Sequence, residues 1–164
     1  MRIFAVVTLG AALALTGCGK KEEKTVYSDG QTTVTQTDNG AGGDNHITVT
    51  GPNGEKVEYG TGANAKLPAY LPVYPGATVT MSNTGSSAQG SGGSVLFHTT
   101  ASMAEVIAFY KDKAKAHGLK DVATTDAGTM MSYAAESDGQ KESLSVIATK
   151  DESGTNGQII WGSK

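Results

Sequence analysis

Three histidines and many serines are the side chains of this sequence that could carry out hydrolytic chemistry. A serine hydrolase needs a hydroxyl nucleophile, a histidine base and a carboxylate that orients the base. The histidines are His46, His98 and His117, and no two have the spacing of a helical metal-binding pair. No serine lies in a Gly-x-Ser-x-Gly nucleophile turn. The sequence therefore predicts no catalytic site, no metal site and no cofactor, and the alternative is a hydrolase that uses His98 with a nearby serine.

Cys18 is the only cysteine of the chain, and it follows an apolar segment. Arg2 precedes the apolar residues 3–15, and small residues follow them, which is the layout of a secretory signal peptide. The apolar run is too short to span a bilayer well. Leu15-Thr16-Gly17-Cys18 resembles a lipobox, the processing signal of bacterial lipoproteins. The resemblance implies cleavage before Cys18 and lipidation of its sulfur, so that this residue anchors the protein.

The lipobox resemblance also implies a location in the cell envelope. Each acyl chain contributes about 0.8 kcal/mol per buried methylene, and two or more chains give stable anchoring. Gly19 stands where an Asp would retain a Gram-negative lipoprotein in the inner membrane. We therefore expect attachment to the outer membrane facing the periplasm, where the hydrolase alternative would also act. In a Gram-positive host the same signal implies the outer face of the cell membrane.

Charge and length limit the partners and the number of domains. The chain has 164 residues and a formal net charge of −3, and it contains no basic stripe that could follow a phosphate backbone. Nucleic acid is therefore not expected as a partner. One domain remains once the signal peptide and a polar segment are set aside. The expected partners are the membrane, through the lipid anchor, and an envelope protein or a cell-wall component.

Composition divides the chain into four parts. Residues 19–45 are polar and offer few large apolar groups to offset the entropy of ordering, and Thr32-Thr33-Val34-Thr35 leaves open one short strand among them. Residues 47–50 and 56–59 alternate apolar and polar side chains around Asn53-Gly54, which favours a β-hairpin. The predicted parts are a signal peptide at 1–17, the lipidated Cys18 with a flexible tether at 18–45, a β-hairpin at 46–65, and a small domain at 66–164.

The clearest predicted element is a helix over residues 102–117. Ser102 and Glu105 have the spacing of a capping box, and Gly118 is suited to end the helix. Two strands are predicted before the helix and four after it, with residues 82–93 as a flexible loop and Trp161 as an anchor of the last strand. The predicted fold class is α+β, with one main helix packed on a twisted antiparallel sheet in the order ββαββββ. The β-hairpin and a disordered tether precede this unit.

Residues 66–164 resemble a group of secreted bacterial lipoproteins that are mostly uncharacterised. The resemblance rests on Tyr74-Pro75-Gly76-Ala77, a strand ending in Phe97-His98, and a capped helix with the pair Phe109-Tyr110, followed by a β-meander. It implies a fold and a location but no activity. The sequence as a whole predicts a membrane-anchored envelope lipoprotein that displays a small, non-catalytic α+β binding domain.

Overall fold

The computed structural model describes residues 22–38, 45–62 and 66–164. The signal peptide and Cys18 lie outside the described residues. One α-helix, α1, spans Met103–His117, and a short 3-10 turn spans Asp138–Gln140. The strands of the described part are β1 Glu22–Ser28, β2 Thr33–Asp38, β3 His46–Thr50, β4 Lys56–Gly60, β5 Thr78–Ser87, β6 Gly90–Thr99, β7 Lys120–Asp126, β8 Met130–Glu136, β9 Glu142–Asp151 and β10 Gly154–Ser163.

These ten strands form one antiparallel sheet in the order β1-β2-β3-β4-β5-β6-β10-β9-β8-β7. The chain runs back and forth as far as β6, crosses the sheet through α1, and starts again at the far edge with β7. It then returns strand by strand until β10 pairs with β6. The predicted α+β class is confirmed. The sheet is larger than predicted, because the order ββαββββ has six strands and the described residues form ten.

Local sequence signals set both ends of α1. The Ser102 hydroxyl accepts a hydrogen bond from the backbone N–H of Glu105 at 3.3 Å, and the Glu105 carboxylate accepts one from the Ser102 N–H at 2.9 Å. These bonds satisfy donors that the first turn of a helix leaves free. Gly118 ends the helix with φ +93°, which L side chains rarely adopt. The predicted helix and both of its caps are confirmed.

The core lies between α1 and one face of the sheet. Residues directly opposite each other in antiparallel strands point to the same face. Phe97 on β6, Trp161 on β10 and Tyr133 on β8 all point toward α1 and are buried. Trp161 is only 8% exposed, which confirms its predicted role as an anchor of the last strand. The helix contributes Val106, Ile107, Tyr110 and Ala114 to this core.

Residues 66–77 form a strap that lies against the core. Leu71 is fully buried, and the ring of Tyr74 packs edge-on against Phe109 with centroids 5.1 Å apart. Tyr70 stacks on His117 at the end of α1, with centroids 3.7 Å apart and an interplanar angle of 2°. Two turns shape this segment: the Leu71 N–H donates to the Pro68 carbonyl at 2.8 Å, and the Ala77 N–H donates to the Tyr74 carbonyl at 3.0 Å. The segment therefore packs on the domain through its apolar and aromatic side chains.

The disordered tether is a wrong prediction for residues 22–38, since they form β1 and β2. Asp29 closes the turn between these strands, because its carboxylate accepts hydrogen bonds from the backbone N–H groups of Gln31 at 2.9 Å and Thr32 at 2.6 Å. Threonine dominates β2, and its branched side chain favours extended backbone although it is polar. The predicted β-hairpin is confirmed as β3 and β4, which continue the sheet beyond β5.

The flexible loop predicted at residues 82–93 is also wrong. Strand β5 continues to Ser87 and β6 begins at Gly90, so that only Ala88 and Gln89 lie between them. Neighbours on both sides, β4 and β10, hydrogen-bond this stretch into the sheet. The small side chains that predicted a loop instead allow close packing, since the Trp161 ring lies over Gly93.

The fold predicts that Gly93→Ala is destabilising. A Cβ at this position would meet the backbone oxygen of Asn83 and would lie 2.8 Å from the Trp161 ring. Overpacking of this kind costs about 1–3 kcal/mol. Gly85→Ala is the matched control, because the nearest atom to its new Cβ is the Lys56 carbonyl oxygen at 3.9 Å. Urea denaturation measures both free energies of unfolding, and equal losses in the two variants would contradict the packing described here.

Candidate functional site

A groove of about 430 Å³ opens between the strap and the ends of β5, β6 and β10. Small-molecule sites commonly have volumes of about 300–1,000 Å³. We call this cavity the strap groove. The strap lines the groove with Leu67, Pro68 and Tyr70. Glu58 of β4 and Glu142 of β9 line it from the sheet. The strap groove therefore joins parts of the chain that are far apart in sequence.

The floor of the strap groove is a consequence of strand register. Ser86, Ser91 and Ser163 lie side by side on β5, β6 and β10, and they point to the same face as the core. The hydroxyl oxygens of Ser91 and Ser163 are 2.9 Å apart and share a hydrogen bond. The next row of the sheet holds Thr84 and Trp161 on either side of Gly93. A row of hydroxyls thus lies beside an indole ring.

The charged groups around the strap groove are paired. Lys66 Nζ lies 2.5 Å from Glu58 Oε2, and His117 Nε2 lies 3.2 Å from Glu142 Oε1. His117 is the residue on which Tyr70 stacks, so its contact with Glu142 also holds the strap at the end of α1. Burial raises the pKa of the Tyr70 phenol, and the negative charge of Glu142 raises that pKa further. The Tyr70 hydroxyl therefore remains protonated and available as a hydrogen-bond donor at neutral pH.

A second cluster surrounds His98, which is the residue of the hydrolase alternative. His98 Nε2 lies 3.0 Å from Ser153 Oγ and 3.8 Å from Asp151 Oδ2. The structure thus brings together the three residue types that the alternative requires. In a catalytic triad the serine faces Nε2 and the carboxylate faces Nδ1 of the same ring. Here both groups lie at Nε2, and the Ser153 hydroxyl donates to Asp151 Oδ1 at 3.0 Å.

Asp151 organises the turn between β9 and β10. Its carboxylate accepts hydrogen bonds from the Ser153 backbone N–H and from Asn156 Nδ2, both at 2.7 Å. The bond from the Ser153 N–H is the main cause that lowers the pKa of Asp151 below its usual value, with help from the Ser153 hydroxyl and the nearby His98. These contacts close the turn, and His98 links the turn to the neighbouring strand β6.

The other candidate residues of the sequence fall into different surroundings. His46 Nε2 lies 3.2 Å from the Thr48 hydroxyl and 4.0 Å from Glu58, and His117 pairs with Glu142. Over residues 22–38, 45–62 and 66–164, no group of three or more His, Cys, Asp or Glu residues is placed to hold a metal ion. Cys18, the predicted lipidation site, lies outside the described residues.

The sequence did not predict the strap groove, although a signal for its floor was present. Thr84, Ser86 and Ser91 have the alternation that places side chains on one face of a hairpin. Because the stretch is rich in glycine and serine, its composition suggested a loop. The pairing of this hairpin with β10 joins residues 56 to 72 positions apart, and no local pattern shows it.

The turn around Asp151 predicts a measurable titration. Carboxylate ¹³C chemical shifts should give Asp151 a pKa below its ordinary value of 3.8. In Ser153→Ala the backbone N–H still donates but the hydroxyl is lost, so this pKa should rise part of the way. Because the pKa is lower in the folded state, Asp151 stabilises the fold above its unfolded pKa, and this contribution is lost as pH falls through the folded pKa. An ordinary pKa in the unmodified protein would contradict the turn described here.

Comparison with known proteins assigns the chain to a protein family. A family model described as START domain-like matches residues 79–162, which is just over half of the chain. The matched region begins in β5 and ends in β10, so that it contains α1 and most of the floor of the strap groove. No curated protein and no solved structure matches the chain. Within the described ranges, no helix is long and apolar enough to cross a membrane. The chain belongs to the START domain-like family.

Proposed function

We propose that this protein is a membrane-anchored lipoprotein of the bacterial cell envelope, and that its START domain-like region binds a small ligand without catalysis. Domains of this family are generally binding domains. The proposal rests on the strap groove. This groove has a suitable volume, and an indole, a phenol and several hydroxyls line it. The ligand would lie against β5, β6 and β10, under the strap.

The family match also supports a division of the sheet into a unit and an extension. The matched residues include two strands, α1 and four further strands, and we propose that this ββαββββ unit is the binding domain. Strands β1–β4 extend its sheet on the side of β5. The extension contributes Glu58 to the strap groove, so the proposed site depends on both parts.

The proposed anchor rests on the lipobox-like sequence that ends at Cys18. Cys18→Ser should release the protein from the membrane and leave the precursor uncut, because no sulfur remains to receive the lipid. Fractionation of membranes and mass determination of the product measure both effects. Membrane attachment of this variant equal to that of the unmodified protein would refute the anchor.

Gly19→Asp is a matched control for the Cys18 variant, since it leaves the lipidated residue in place. In a Gram-negative host this variant should stay attached to membranes and move from the outer to the inner membrane. Sucrose-gradient separation of the two membranes distinguishes loss of lipidation from a change in sorting. Release of the Gly19 variant into the soluble fraction would show that the Cys18 result reports general damage to export.

The contact between His98 and Ser153 is the one observation that favours a periplasmic hydrolase instead. The Ser153 hydroxyl donates to Asp151, and the carboxylate is on the wrong ring nitrogen for a triad. We therefore expect no labelling by a fluorophosphonate probe that reacts with activated serines. Labelling that disappears in Ser153→Ala and persists in the control Ser91→Ala would establish the hydrolase and overturn the non-catalytic proposal.

A further inference from the structure

We propose that the ligand of the strap groove is an uncharged sugar of one or two pyranose rings. The inference rests on the proposed function and deepens it by naming the chemical class of the ligand. Three properties of the groove lead to this class: its charges are already paired, its floor carries a row of hydroxyls, and aromatic rings lie beside that row.

The pairing of charges argues against a charged ligand. Lys66 Nζ lies 2.5 Å from Glu58 Oε2, so the two opposite charges neutralise each other at the edge of the groove. Glu142 is contacted by His117 from the side of α1, with Nε2 at 3.2 Å and 3.3 Å from its two oxygens. A ligand with a net charge would lose hydration on entering the groove and would have to compete with these existing contacts.

The row of hydroxyls argues against an alkyl chain. A serine or threonine hydroxyl can donate one hydrogen bond and accept two. Ser86, Ser91 and Ser163 place three such groups side by side, and Thr84 adds a fourth in the next row. An alkyl chain laid over them would remove water without replacing its hydrogen bonds, which is unfavourable for each group left unsatisfied. A sugar offers donors and acceptors to the same groups.

The aromatic residues of the groove suit the apolar faces of a pyranose ring. A pyranose presents C–H groups on its faces and hydroxyls around its rim. Trp161 and Tyr70 both line the groove, and each combines an apolar ring with a hydrogen-bond donor. Neighbouring strands lie about 4.8 Å apart, so the floor across β5, β6 and β10 is about 10 Å wide. This width accommodates one or two linked rings.

Trp161 reports directly on occupancy, because it is the only tryptophan of the chain and it lines the strap groove. The experiment uses the full lipidated protein in a zwitterionic detergent that has no sugar headgroup. Tryptophan emission is titrated with methyl glucoside and cellobiose, which are uncharged, with glucuronate, which is anionic, with glucosamine, which is cationic, and with octanoate. A saturable change is expected for the uncharged sugars, with affinity about tenfold higher than for the two charged sugars.

A pair of variants tests whether the hydroxyl row is responsible. Ser91→Ala with Ser163→Ala removes the hydrogen-bonded pair of the floor and should weaken binding of cellobiose about tenfold, since two hydroxyls that would bind the sugar are lost. The control is Ser143→Ala, which removes a serine hydroxyl of β9 that does not line the strap groove. Far-ultraviolet circular dichroism verifies that both variants keep the fold. Equal cellobiose affinity in the double variant and the control would overturn the inference.

The remaining outcomes separate the inference from the function on which it rests. A saturable emission change with octanoate or a charged sugar, and none with the uncharged sugars, would overturn the ligand class and leave a binding groove. No emission change with any probe would overturn the inference and would also count against binding of a small ligand at this site.

Discussion

The pairing of β6 with β10 is the interaction on which the rest of the structure depends. It joins a hairpin from the first half of the chain to the last strand, and it brings together residues such as Ser91 and Ser163 that are 72 positions apart. The same register places Trp161 opposite Gly93 and Gly157 opposite Phe97. A shift by one residue would turn every side chain of β10 to the other face. The core, the floor of the strap groove and the His98 cluster would all be lost together.

Two glycines make this register possible. A Cβ at Gly93 would collide with the Trp161 ring, and a Cβ at Gly157 would collide with the Phe97 ring. Each aromatic ring therefore lies flat over a backbone position of the neighbouring strand, which fills space that a glycine leaves empty. The two rings then contribute large buried areas to a domain that has few aromatic residues. Glycine at these two positions thus allows close packing between strands, although glycine usually weakens a strand.

The single helix covers only one face of the sheet. Large apolar side chains that remain exposed in the described residues lie mostly on the opposite face. Seven of the nine belong to that face by strand register: Tyr27, Ile47, Val57, Tyr59, Met81, Met130 and Ile160. The strap covers the end of the core, as α1 covers its centre. Leu71 of the strap is fully buried against that core. The strap groove opens where this second cover stops.

Elements with local signals were predictable, and contacts across the sheet were not. The helix was predicted with its caps because Ser102, Glu105 and Gly118 act within one or two turns of the chain. The hairpin of β3 and β4 followed from alternation around a turn. Strand β1 and the second half of β5 were missed, and β2 was expected only as a possible short strand, because their threonines, serines and glycines look like a solvated loop when neighbours are ignored. The hydroxyl row could not be predicted, since it exists only after β10 has paired with β6.

Most residues of the strap groove that would recognise a ligand are different from those that stabilise the fold. Ser86 and Ser91 are exposed, and exposed hydroxyls contribute little to the free energy of unfolding. Gly93 and Trp161 hold the floor in place, because they lie opposite each other in the register of β6 and β10 and the Trp161 ring is buried, so they contribute both to recognition and to stability. The hydroxyls can therefore change without loss of the fold, whereas the glycine and the indole cannot. A groove built in this way can be adapted to a different ligand by substitutions on two or three strand positions, while the helix, the strap and the sheet stay as they are.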